Sequence, residues 1–93
     1  MKQPIEYILH AALDTFPTVL SNVERPKDPN GCWFLDLIYQ NRRVVVQWHV
    51  EERYMGVSLV TSETGYGEKP DWVGTNPYKA LAEVLRLMAF GNV

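Results

Sequence analysis

Apolar positions along this chain recur with two different periods, and each change of period marks a change of element. Ile5, Ile8, Leu9, Ala12, Leu13 and Phe16 follow the spacing i, i+3, i+4, i+7, i+8, i+11, which draws one stripe down a helix face. Glu6, His10 and Asp14 fall on the other face. Pro4 suits a first turn, where its missing N–H goes unused, and Pro17 forces the residue before it out of the α region. The spacing predicts a helix over Pro4–Thr15.

Period two takes over in the middle of the chain. Residues 33–40, 43–51 and 54–61 read as strands, with turns at Asn41-Arg42 and Glu52-Arg53. Two-residue turns set Tyr39 against Val44, Leu37 against Val46, Leu35 against Trp48 and Trp33 against Val50. Across the second turn Val50 meets Met55, Trp48 meets Val57 and Val46 meets Leu59. Every residue in these rows is large and apolar, so they form the buried face, with Trp48 at its centre. A slip of one residue would turn the whole set to solvent. The other face is mixed: Phe34, His49 and Gly56 in one row, Asp36, Gln47 and Ser58 in the next, then Ile38, Val45 and Val60, with Gln40 and Arg43 beside them.

Between helix and strands, residues 18–25 admit either a short edge strand or an irregular return, since Val19 and Val23 alternate with polar Ser21 while Leu20 is out of phase. Two prolines and an Asn-Gly pair make 26–31 a loop. Residues 62–75 also read as a loop, with Gly65, Gly67, Pro70 and Gly74. Asn76 then supplies a cap and Pro77 a first helical position. Tyr78, Leu81, Ala82, Leu85, Met88 and Ala89 follow at helical spacing with Val84 beside them, Lys79, Glu83 and Arg86 lie outside, and Gly91 is a stop. The order predicts an α+β fold: a two-layer sandwich of helix, optional edge strand, three-stranded antiparallel meander and helix, with both helices on one sheet face.

Composition narrows what such a fold can do. A chain of 93 residues makes one domain, residues 1–93, and at this size buries only about 60–65% of its unfolded surface. Hydrophobic residues at 46% and charged residues at 22% are globular proportions and exclude a disordered chain. A net charge of −2 lacks the basic footprint of a nucleic-acid binder or the polybasic segment of a membrane-surface binder. Cys32, the single cysteine, cannot close an internal disulfide. The first residues lack the apolar core of a signal peptide and no run of 18 apolar residues occurs, so a soluble, cytoplasmic protein is expected.

The segment Gly56-Val57-Ser58-Leu59, followed by Gly65-Tyr66-Gly67-Glu68-Lys69-Pro70-Asp71 and an amphipathic helix, resembles part of small bacterial α+β proteins. In some of these a similar strand–loop–helix unit accompanies a helix-turn-helix domain. The resemblance covers about the last 40 residues and implies a bacterial regulatory or accessory context.

Candidate chemistry is sparse. Asp36, His49 and Ser58 are the one triad-like set, with His49 diagonal to both partners in the expected register. A serine in flat mid-strand has neither a strained elbow nor free oxyanion donors, so a solvated polar face is the better reading. Cys32 with His10 or His49 matches no zinc spacing, which favours a structural thiol. The 64–72 loop lacks the phosphate-binding glycine patterns, and Glu68 and Asp71 would repel phosphate. Its Tyr66 and Trp72 are instead candidate recognition anchors. On the mixed sheet face Ile38, Val45 and Val60 would form one apolar row beside Phe34 and His49, a candidate interface. The expectation is a small cytosolic interaction or regulatory module working by protein–protein contact, as a homodimer or with another protein. It carries no catalytic, metal or cofactor site and engages neither nucleic acid nor membrane. The alternative is a small-ligand binder or small enzyme with a pocket between helices and sheet lined by Trp33, Trp48 and Tyr78.

Overall fold

A computed structural model describes residues 4–60 and 70–90 of the chain. It holds helix α1 (Pro4–Thr15), strands β1 (Leu20–Glu24), β2 (Cys32–Tyr39), β3 (Arg42–His49), β4 (Tyr54–Val60) and β5 (Trp72–Gly74), then helix α2 (Pro77–Phe90). The class is α+β as expected. The sheet, however, has five strands in the order β1-β2-β3-β4-β5, every neighbour antiparallel. Residues 18–25 do contain an edge strand, and β5 lies in what the sequence pattern reads as loop.

The central rows are apolar from edge to edge. Val23, Leu35, Val46, Val57 and Trp72 oppose one another across all five strands. Leu35, Leu37, Val44, Val46, Met55 and Val57 are fully buried and join Ile5, Ile8 and Ala12 of α1 and Ala80, Val84, Leu87 and Met88 of α2 in one cluster. The inner face of the sheet is thus the core, and each helix contributes its own stripe to it. α1 packs over β2 and β3, and α2 over β3, β4 and β5.

Two expectations about this core change. The expected cross-strand partners are shifted by two residues in both hairpins: Tyr39 faces Arg42, Leu35 faces Val46, and Trp48 faces Trp33 and Met55. The first turn is Gln40-Asn41, both at positive φ (50° and 66°), the pairing of left-handed residues that suits a two-residue hairpin. In the second, residues 50–53 connect the strands, with Arg53 at φ 58° and its N–H donating to the His49 carbonyl at 2.8 Å. A shift of two preserves which side chains face the core, but it moves Trp48 from the centre to one end, where it is half-buried. α2 is also rotated relative to the expected stripe, since Ala80, Val84, Leu87 and Met88 point inward while Tyr78, Ala82 and Ala89 are exposed.

The ends of α2 are held as helix ends require. Asn76 Oδ1 accepts the backbone N–H of Tyr78 at 2.8 Å and of Lys79 at 3.3 Å, with Pro77 at the first position. Its last turn has no basic residue of its own. Arg42 of β3 supplies one, donating to the carbonyls of Met88 (2.8 Å) and Ala89 (3.2 Å), where the helix dipole favours a cation.

Candidate interaction surface

The outer face of the sheet carries the residues singled out from the sequence, in a different arrangement. Its rows are Leu20–Ile38–Arg43–Val60, Asn22–Asp36–Val45–Ser58, Glu24–Phe34–Gln47–Gly56–Val73 and Cys32–His49–Tyr54. Ile38, Val45 and Val60 therefore do not share a row: Arg43 stands between Ile38 and Val60, and Val45 is diagonal to both. Val45 is also only 3% exposed. Next to its row, Gly56 lies against the Pro70 ring, where a Cβ would come within 2.9 Å of Pro70 Cγ. The centre of the outer face is thus closed, and Val45 is not available to a partner.

Two exposed apolar spots remain on this face: Val73 at the β5 edge, 55% exposed, and a two-residue patch toward β1. Leu20 is 67% exposed and Ile38, directly opposite it, is 40% exposed. Phe34 and Val60 flank this corner, each half-buried. Asp36 and Arg43, whose diagonal ion pair measures 3.1 Å, place a polar bond next to it.

The triad-like set is not assembled. Asp36 and Ser58 flank Val45, whereas His49 sits two rows away beside Cys32 and Tyr54. Asp36 is engaged by Arg43, and Ser58 Oγ is buried with no hydrogen-bond partner among the described residues.

Instead the shifted register makes Cys32 and His49 direct cross-strand neighbours, with Sγ and Nε2 3.8 Å apart. The His49 ring stacks on Tyr54 at 4.2 Å between centroids, and its Nδ1 lies 4.0 Å from a Glu52 carboxylate oxygen. Nε2 also lies 3.1 Å from Gln47 Oε1. Burial pushes the Cys32 thiol above its ordinary value, and the Glu52 charge adds to this, against a weaker lowering by a backbone hydrogen bond from Trp48. The pair holds a neutral thiol, the opposite of an activated nucleophile. Among the described residues no group of three or more His, Cys, Asp or Glu side chains is placed to hold a metal ion.

Of the two recognition anchors, Tyr66 lies outside the described residues. Trp72 opposes Val57 on the inner face and packs against the core, so it acts as a structural side chain and not as a free anchor. The aromatics expected to line a pocket also separate. Trp33 and Trp48 form a cross-strand pair packed on the core, with the Arg25 guanidinium 5.6 Å above the Trp33 ring. Tyr78 is 68% exposed and meets Tyr7 edge-on at 5.3 Å. His10 is exposed on α1. None of the described helices is long and apolar enough to cross a membrane.

The exposed Leu20–Ile38 corner and the β1 edge beside it had one legible signal in the sequence. Leu20 breaks the alternation of its segment, and an apolar residue on the wrong phase of an edge strand must face away from the core.

No protein-family model, curated protein or solved structure matches the chain.

Proposed function

We propose that the protein is a small interaction module that works in the cytoplasm by protein–protein contact, and that its contact surface is the corner of the outer sheet face at β1 and β2. One observation carries this reading: Leu20 and Ile38, opposed across two strands, are 67% and 40% exposed beside β1, the edge strand of the sheet among the described residues. Adjacent large aliphatic side chains left in water are a standing gain for any partner that covers them, at about 25 cal/mol per Å² before association costs. The polar groups beside them, the Asp36–Arg43 pair and Asn22, supply the rim that fixes orientation.

The test is affinity capture by the immobilised full chain from bacterial lysate, run beside Leu20→Lys and Ile38→Lys. Both side chains point away from the core, so the variants are expected to unfold at the wild-type temperature while losing the captured protein. Capture that survives both substitutions would remove this surface from consideration. A thermal-shift screen against small ligands gives the counter-reading, because a large upward shift with a small molecule favours a ligand-binding role.

A further inference from the structure

We infer that β1 is a self-pairing edge: two copies of the chain join antiparallel through it, about a two-fold axis at Val23, into one continuous sheet. This deepens the proposed contact reading and rests on it.

The two edges of the sheet are built differently. β5 is three residues long, follows Pro70, and is extended by a side chain: Asp71 Oδ2 accepts the Leu59 N–H at 2.7 Å. That is a protected edge, short and proline-led, with a carboxylate occupying a backbone position on the neighbouring strand. β1 shares only the neighbouring proline, Pro26, which follows its end by two residues. It is five residues long, pairs with β2 at every position without a bulge, and contains neither Pro nor Lys. Neither helix packs extensively on it, so Val23 stays half-buried and Ser21 is exposed although both sit on the inner side. Among the described residues no strand pairs with its outward backbone groups, which form a row that another extended strand can match.

The sequence of β1 selects its own copy and one register. A two-fold at Val23 sets Val23 against its symmetry mate, Leu20 against the partner's Pro26, Ser21 against the partner's Arg25 and Asn22 against the partner's Glu24. Apolar residues meet apolar ones, and polar residues meet charged ones. A two-fold at Asn22 would set Leu20 against Glu24 and Val19 against Arg25, and one at Ser21 would set Leu20 against Asn22. The Val23 register also extends the central apolar row from one core into the other, while Leu20 gains a cover.

Sedimentation of the full chain from about 10 μM to about 1 mM tests this, with Ser21→Glu and Ser21→Lys as the diagnostic pair. Ser21 is exposed and unbonded to other side chains, and thermal unfolding of both variants serves as the check on folding. Facing Arg25, the glutamate tightens the dimer and the lysine weakens it, each by roughly two- to thirty-fold because the altered pair occurs twice. Combining Ser21→Lys with Arg25→Glu restores the dimer. A wild type that stays monomeric at about 1 mM overturns the inference, as does a dimer indifferent to the sign of the charge at residue 21. A dimer that dissociates only on Ile38→Lys also overturns it, while leaving the contact reading standing. Capture insensitive to Leu20 and Ile38 removes the contact reading instead.

Discussion

The two faces of the sheet share five strands and one hydrogen-bond ladder, yet they obey different rules. The inner face is specified row by row, with an uninterrupted apolar line from Val23 to Trp72 and two helices to cover it. Among the described residues no helix covers the outer face, and its buried centre lies around Val45 and the contact of Gly56 with Pro70. Fold stability is therefore concentrated on one side of the sheet, and the surface free to evolve a contact lies at a corner of the other.

Truncation gives the largest separation of the two. Leu35→Ala removes a fully buried side chain from the central inner row and is expected to cost about 2–5 kcal/mol. Ile38→Ala, three residues along the same strand on the outer side, should cost less than about 1 kcal/mol. Denaturant unfolding of both measures the contrast, and equal losses would abolish it.

Val45→Lys probes where the rule for the outer face fails. A mid-sheet outward position reads from sequence as tolerant of charge, but at 3% exposure the ammonium group has no water to reach without displacing its neighbours. The expected loss is on the order of 2 kcal/mol. A variant as stable as the wild type would show that the outer face is open after all.

The smallest effect concerns the polar end of that face. Cys32 loses its proton less readily when folded, its thiol being pushed above the ordinary value of 9.0, so folding is favoured while the thiol is protonated. That contribution is fully present below the unfolded thiol's pKa and is lost as pH rises through the folded one. Cys32→Ala should flatten the alkaline limb of the stability profile. In the wild type, alkylation by iodoacetamide should titrate with a midpoint above 9.0. A midpoint at or below that value would mean an activated thiol.

The division into faces was legible in the sequence because it depends only on parity. Leu35, Leu37, Val44, Val46, Met55 and Val57 face inward in any register that differs by an even number of residues. What parity cannot give is which partners meet. The first turn reads naturally as Asn41-Arg42, whereas Gln40 accepts a left-handed conformation and Arg42 is drawn into β3, where it caps α2. That shift of two broke up the expected row of Ile38, Val45 and Val60, and it brought Cys32 against His49. The face of α2 was ambiguous for another reason, since only Lys79, Glu83 and Arg86 interrupt its apolar residues and stripes on either side fit the period. β5 escaped because three residues are too short to show any period.

The strand order of the sheet is also the order in which the strands are synthesised. Every ladder closes between neighbours along the chain, so each hairpin costs little loop entropy and adds to the one before it. The helices are the exception: they flank the strands in sequence and meet over β3, so their contact closes only after all five strands have been made. A chain emerging from the ribosome can therefore assemble β1 to β4 while α2 is still inside the exit tunnel. For that interval the inner rows over β4 lie bare, a ready substrate for a chaperone that binds exposed apolar strands, until α2 arrives and Arg42 locks its last turn.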